Sequence, residues 1–197
     1  MIFNPRLAEL RLKDFFTFAN GLLGLCAIWH AAIGSGLAWV FIVAAIVLDW
    51  LDGKVARLLA GRDLSNDLGK ELDSLADLVS FGAAPALLVL FQVSKLSNAN
   101  EPLFWATSIA CGAYFVAGMV RLALFNLQSE KGVYTGLPIP IAAFYAVLLQ
   151  LVLQFNQFFI VLAPFFMAGL AAAMVGGFRI EKHGVKRMLG PLGFLLG

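Results

Sequence analysis

Charge is scarce in this chain. Of 197 residues only 13% are Asp, Glu, Lys or Arg, against 61% hydrophobic residues and a mean hydropathy of +0.87. A soluble domain needs about twice that charge, so lipid rather than water surrounds most of the polypeptide. Cysteine and histidine are almost missing, at two each. Cys26 and Cys111 stand alone within apolar stretches as small hydrophobes, which rules out a disulfide framework. With His30 near one end of an apolar stretch and His183 in the basic C-terminal tail, neither is expected within reach of Asp49, Asp52, Asp73 or Asp77, and a His- or Cys-based zinc site is not implied. Internal repeats and low-complexity tracts are also lacking.

What the chain does have is long apolar runs. Six stretches approach the ~20 residues needed to cross a hydrocarbon core: Phe15–Ile33, Leu37–Leu59, Leu72–Val93, Phe104–Phe125, Leu137–Phe155 and Phe158–Phe178. Backbone polar groups in lipid must be satisfied within each segment, so all six are expected to be helices. The first is too long for the ~7–15-residue apolar core of a signal peptide. Ahead of it, Arg6–Asp14 mixes leucines with charges, which suits a short interfacial helix as well as an ordinary charged flank. Gly34-Ser35-Gly36 and Asn156-Gln157 read as turns and Ser94–Pro102 as an exposed loop. Connections this short force antiparallel neighbours and leave no room for a second domain. The expected fold is an all-α integral membrane protein with six transmembrane helices, a single domain spanning 1–197.

Thirteen of the fourteen Lys and Arg residues fall on one side of such a topology, with Lys95 alone opposite. The positive-inside rule makes the basic side cytoplasmic, with both termini on it. The basic groups then face anionic membrane lipids, and nucleic acid is not an implied partner.

Against this background the acidic residues stand out. Asp49 and Asp52 sit in the second segment, and Glu71, Asp73 and Asp77 open the third. At membrane depth each carboxylate costs roughly 2.5–3.5 kcal/mol, so a compensating partner is required. At about 100° per residue Asp49, Asp52, Gly53 and Ala56 share one helix face, while Asp73 and Asp77 are i,i+4 neighbours. Antiparallel packing brings the two sets together at the cytoplasmic boundary. Four such carboxylates repel one another unless protonated or met by cations. Oxygen ligands select hard ions, so magnesium or manganese fit, calcium is also admitted, and a pair of ions is a natural filling. Gly53 and Gly69 let a bulky ligand approach the backbone, or let helices pack closely.

Asp49-x-x-Asp52-Gly53-x-x-Ala56-Arg57 followed by Gly69-x-x-x-Asp73-x-x-x-Asp77 resembles the signature of the CDP-alcohol phosphotransferases, and the six-helix layout extends the similarity over nearly the whole chain. One departure is the eleven residues Leu58–Leu68 between the two halves, where that family usually has eight. Asp73–Pro85, Arg121–Asn126 and Gly136-Leu-Pro138-Ile-Pro140 are similar to its membrane-type phosphatidylserine synthase branch. The resemblance implies that an alcohol hydroxyl attacks the β-phosphorus of a CDP-linked lipid and releases CMP. It further implies two divalent ions on Asp49, Asp52, Asp73 and Asp77, with Asp77 as general base, and a homodimer. By the same resemblance Gly53, Ala56, Arg57 and Gly69 contact the CDP-lipid, and Thr17 and Asn20 border the cytidine or make a helix–helix contact. With L-serine as acceptor, Arg121 would bind its carboxylate and Asn126 its ammonium or hydroxyl. The alternatives are another acceptor, such as glycerol phosphate or inositol phosphate, with Lys131 and Arg179 as further cations, and a divalent-cation carrier.

Overall fold

The computed structural model describes residues 12–58, 67–96, 100–128 and 136–177. All the secondary structure among them is helical, in the chain order α1 (Leu12–Ala32), α2 (Ala38–Leu58), α3 (Asp67–Asp77), a π-helical turn (Leu78–Ala83), α4 (Ala84–Leu96), α5 (Glu101–Gln128), α6 (Ile139–Phe155), a 3-10 turn (Gln157–Leu162) and α7 (Ala163–Val175). The interfacial segment expected over Arg6–Asp14 lies mostly outside the described residues.

Four helical stretches are long and apolar enough to cross a membrane: Asp14–Ala32, Leu68–Leu96, Glu101–Leu127 and Gln157–Val175. The chain is a multi-pass membrane protein. The two other expected spans are helical but fall short by this measure, each for its own reason. α6 has 17 residues, about 25 Å at 1.5 Å per residue, and α2 carries Asp49, Asp52 and Lys54 in its second half.

Local chemistry explains the helix ends. Gly34 turns the chain between α1 and α2 with φ 71°, a left-handed conformation that costs glycine little. The expected loop over Ser94–Pro102 is shorter than the sequence suggested. α4 runs to Leu96, and Asn100 caps α5 by accepting from Leu103 N–H at 3.2 Å. Pro138 and Pro140 occupy the cap and first turn of α6, where a missing N–H breaks no helical bond. Asn156 caps the 3-10 turn, its side chain accepting from Phe158 N–H at 3.0 Å.

Packing follows the logic of a lipid solvent. The buried core is rich in alanine, among them Ala27, Ala38, Ala45, Ala84, Ala142, Ala143 and Ala146, while Phe15, Trp29, Trp105, Ile109, Phe155 and Phe165 are exposed. Small residues let helix backbones approach, and large apolar ones outside are solvated by acyl chains. α1 packs against α2 and along the α3–π–α4 rod, α4 also contacts α5 and α6, and α5 runs along α7. The rod is thereby held between α1 and α5 at the level of its π turn, directly after Asp77.

Candidate metal and phosphate site

The acidic residues meet where α2 ends and α3 begins. Carboxylate oxygens of Asp49, Asp73 and Asp77 lie within 4.8 Å of one another. Asp77 is the most buried, at 9% exposure, and Asp49 and Asp73 are half-buried. The i,i+4 spacing on α3 stacks Asp73 and Asp77 on one face, and the antiparallel approach of α2 sets Asp49 against them. Asp52, expected in the same cluster, is outside this three-residue group although its charge acts on both Asp49 and Asp77.

α1 supplies the remaining wall. Asp14, Thr17 and Asn20 are all buried, at 1%, 5% and 2% exposure. The Asn20 amide donates to Asp77 Oδ1 at 2.9 Å, so this side chain is directed at the acid cluster by a helix–helix contact. That contact depends on an unusually close approach. Ser80 Oγ donates to the Asn20 carbonyl at 2.8 Å, and a Cβ on Gly24 would lie only 2.7 Å from Ser80 Cα. Any larger residue at position 24 would therefore push α1 off the π turn. From the opposite side, the fully buried Tyr114 of α5 donates its hydroxyl to the Phe81 carbonyl at 2.8 Å. π turns interrupt the regular ladder and recur at functional sites. This one is pinned on both flanks, which fixes the depth of Asp77.

Sequence reasoning did not single out Asp14, Gly24, Ser80 or Tyr114. The available signal was the spacing of Asp14, Thr17, Asn20, Gly21 and Gly24, a stripe of polar and small residues down one face of an otherwise apolar helix.

The other expected residues distribute as follows. A Cβ on Gly53 would meet nothing within 4 Å, leaving open space on that face among the described residues, while Gly69 is buried in the first turn of α3. Ala56 and Arg57 belong to the α2 backbone, but their side chains lie outside the description, as does most of the longer turn after them. Lys54 rests over the Trp50 ring at 3.8 Å. Asn126 donates to Ser74 Oγ at 2.9 Å, which ties the end of α5 to the helix turn bearing Asp73. Arg121 is buried to 4% exposure and donates its Nε–H to the Leu137 carbonyl at 3.3 Å.

An all-oxygen donor set this compact suits a hard divalent cation and not a thiophilic one. Buried carboxylates crowded together also require neutralising charge, so the residues fit a metal-binding role. Fold and site thus define a multi-pass membrane protein with an intramembrane carboxylate cluster able to hold metal ions beside an open helix face. Residues 10–175 match the CDP-alcohol phosphatidyltransferase family, and the chain belongs to that family.

Among curated proteins it is similar to the CDP-diacylglycerol–serine O-phosphatidyltransferase of Helicobacter pylori, 38% identical over 140 residues that make up 68% of this chain and 55% of that protein. The enzyme of the same name in Bacillus subtilis is 31% identical over 175 residues, 87% of this chain and 92% of the relative. Archaetidylserine synthase of Methanothermobacter thermautotrophicus is 35% identical over 137 residues, 68% and 55% respectively. The chain spans about half the length of the Helicobacter and Methanothermobacter relatives.

Proposed function

We propose that this protein transfers a phosphatidyl-type group from a CDP-linked lipid to the hydroxyl of L-serine, releasing CMP. The observation that carries this reading is the convergence of Asp49, Asp73 and Asp77, with Asp77 held by Asn20. The names of the similar proteins support serine as acceptor. In the reaction the serine oxygen bonds to the β-phosphorus, the bond from that phosphorus to the CMP oxygen breaks, and the hydroxyl proton passes to Asp77. Two divalent ions, magnesium or manganese with calcium as a third candidate, would be held by Asp49, Asp52, Asp73 and Asp77 and would supply charge neutralisation on the diphosphate.

The remaining roles belong to the chain's own residues. Gly53 leaves room for the diphosphate on the exposed face of α2, beside Ala56 and with Gly69 at the start of α3. Arg57 offsets nucleotide charge, and Thr17 with Asn20 closes the pocket on the α1 side. Arg121 neutralises the serine carboxylate, while Asn126, anchored on Ser74, lies beside the ammonium. Glycerol phosphate and inositol phosphate are less suited, because a phosphomonoester carries nearly two charges. Among the described residues Arg121 is the buried cation available to meet that charge; Lys131 and Arg179 lie outside them.

The test is an acceptor panel. Purified protein given CDP-lipid and Mn²⁺ is expected to release CMP far faster with L-serine than with glycerol phosphate or inositol phosphate. The reverse order would remove the serine assignment and leave the phosphotransferase chemistry standing.

The same reading places the protein as one domain over 1–197 in the cell membrane, with six spans and both termini and the site on the cytoplasmic side. Supporting it are the thirteen-to-one division of basic residues and the helical form of all six apolar stretches over their described residues. For the homodimer, an apolar groove of ≈ 340 Å³ between α4 and α5, lined by Ala83, Ala86 and Gly112 among others, offers small residues on which a second copy could pack. Topology is tested by single cysteines at Ser97 and Lys186 in a chain without Cys26 and Cys111. In sealed cells an impermeant thiol reagent should label position 97 and spare 186. Labelling of 186 alone would invert the orientation.

A further inference from the structure

The segment between α5 and α6 carries an arrangement that the proposed reaction does not by itself require. Gly136 has φ 82°, and a Cβ there would collide with the carbonyl oxygen of Met174 at the end of α7. Its neighbour Leu137 donates its N–H to the Ala173 carbonyl at 2.9 Å, one of the last-turn acceptors that a helix leaves without an internal partner. The Leu137 carbonyl then receives the Nε–H of Arg121 at 3.3 Å. Pro138, at φ −59°, closes the segment into α6, and Ile139 is 3% exposed with its side chain against Gly118, one turn before Arg121 on α5. Residues 136–139 thus form a strap tied to α7 at one end and to α5 at the other, with the arginine hung from its middle.

A guanidinium has five N–H donors in a rigid plane. Engaging Nε–H sets the orientation of that plane and leaves the edge formed by the two terminal nitrogens, which matches a carboxylate bidentately. Among the described residues no carboxylate pairs with Arg121. Being almost fully buried, the cation gains from an anion that enters with a ligand.

We propose that the Gly136–Pro138 strap is the positioning element that makes this site selective for a carboxylate-bearing amino alcohol, by fixing Arg121 through the Leu137 carbonyl. The proposal rests on the serine-acceptor reading above and adds a specific structural cause for it. Gly136 touches no substrate; it acts on the acceptor only through Leu137 and Arg121. Only glycine permits both the positive φ and the close approach to Met174, so a side chain at position 136 would lift the strap and turn the guanidinium away.

The experiment compares L-serine with ethanolamine, the same amino alcohol without the carboxylate, as acceptors for the purified full chain with CDP-lipid and Mn²⁺. For Gly136→Ala the preference for serine in kcat/KM is expected to fall about tenfold or more, the scale of one charged hydrogen-bonded contact. The loss should appear in the serine KM, with the CDP-lipid KM and the Mn²⁺-induced rise in melting temperature unchanged. In an Arg121→Lys background, Gly136→Ala should alter the preference no further, since both changes act through one contact. A preference retained in Gly136→Ala, or a further full loss in the double variant, would overturn the proposal. If Gly136→Ala melts well below the unchanged chain, Pro138→Gly loosens the same strap without the collision and is judged by the same ratio. A wild-type protein that does not prefer serine refutes the acceptor assignment itself, a result separate from any change between variants.

Discussion

Asp77→Asn should lower CMP release by about 10²–10⁴-fold, the range that a positioned general base contributes, while keeping most of the stabilisation that Mn²⁺ confers. An asparagine side chain has nearly the shape of aspartate, and its carbonyl oxygen can still accept from the Asn20 amide, which now donates to Asp77 Oδ1 at 2.9 Å. The substitution removes the capacity to take the acceptor's proton and one carboxylate charge of the group, but the amide oxygen remains an oxygen ligand, so the loss in ion binding is expected to be smaller than the loss in turnover. Asp49→Asn and Asp73→Asn remove charge from the three-carboxylate group and should weaken ion binding as well as turnover. At an ion concentration about 100 times Kd the stabilisation is about 2.7 kcal/mol, and a hundredfold weaker Kd leaves about 0.4 kcal/mol. Melting temperatures titrated with Mn²⁺ read this directly, and chelation should collapse the difference between the native chain and these two variants. Asp52→Asn asks whether the fourth carboxylate joins the site once ions are bound, with a reduced Mn²⁺ response as the expected outcome. Near-normal CMP release from all four variants would sink the carboxylate-centred reading.

Arg121→Lys should raise the KM for serine by about 10–100-fold, the equivalent of the roughly 1.5–3 kcal/mol of a charge-assisted hydrogen bond, with little change in the KM for the CDP-lipid. Lysine keeps the positive charge, but an ammonium cannot reproduce the planar fork. Nor can it retain both the bond to the Leu137 carbonyl and a two-point contact with a carboxylate. Initial rates over a serine titration at saturating CDP-lipid separate the two constants. An unchanged serine KM would show that the acceptor binds elsewhere, and a parallel rise in the CDP-lipid KM would place Arg121 on the nucleotide side.

Much of the site was legible because its signals are local. The i,i+4 spacing of Asp73 and Asp77 and the i,i+3 spacing of Asp49 and Asp52 need only helical periodicity to place each pair on a face. The short connection between their helices does the rest. Asp52 was expected as an equal member of the cluster, and periodicity places it near Asp49 on α2 without showing which carboxylates come within ligating distance across the two helices. Asn20 was legible as a polar residue in an apolar helix, while its partner at 57 residues' separation was not. The apolar runs gave the helices, but not the 17-residue length of α6 or the π turn after Asp77.

By itself, then, the sequence determined that this chain lives in lipid, that it is helical, and that carboxylates from two neighbouring helices are gathered together. Composition, periodicity and the cost of unpaired charge in hydrocarbon act within a few residues of one another and require no knowledge of distant partners. The family signature is a local pattern of the same kind. Only the tertiary structure decided where those groups point. Gly24 admits Ser80, and Tyr114 holds the Phe81 carbonyl, which together set the depth of Asp77. Likewise Gly136 lies against the end of α7, so that Leu137 can hold Arg121. These are contacts between residues far apart in the chain, set by how closely two helix backbones approach, and that distance depends on the packing of the whole bundle.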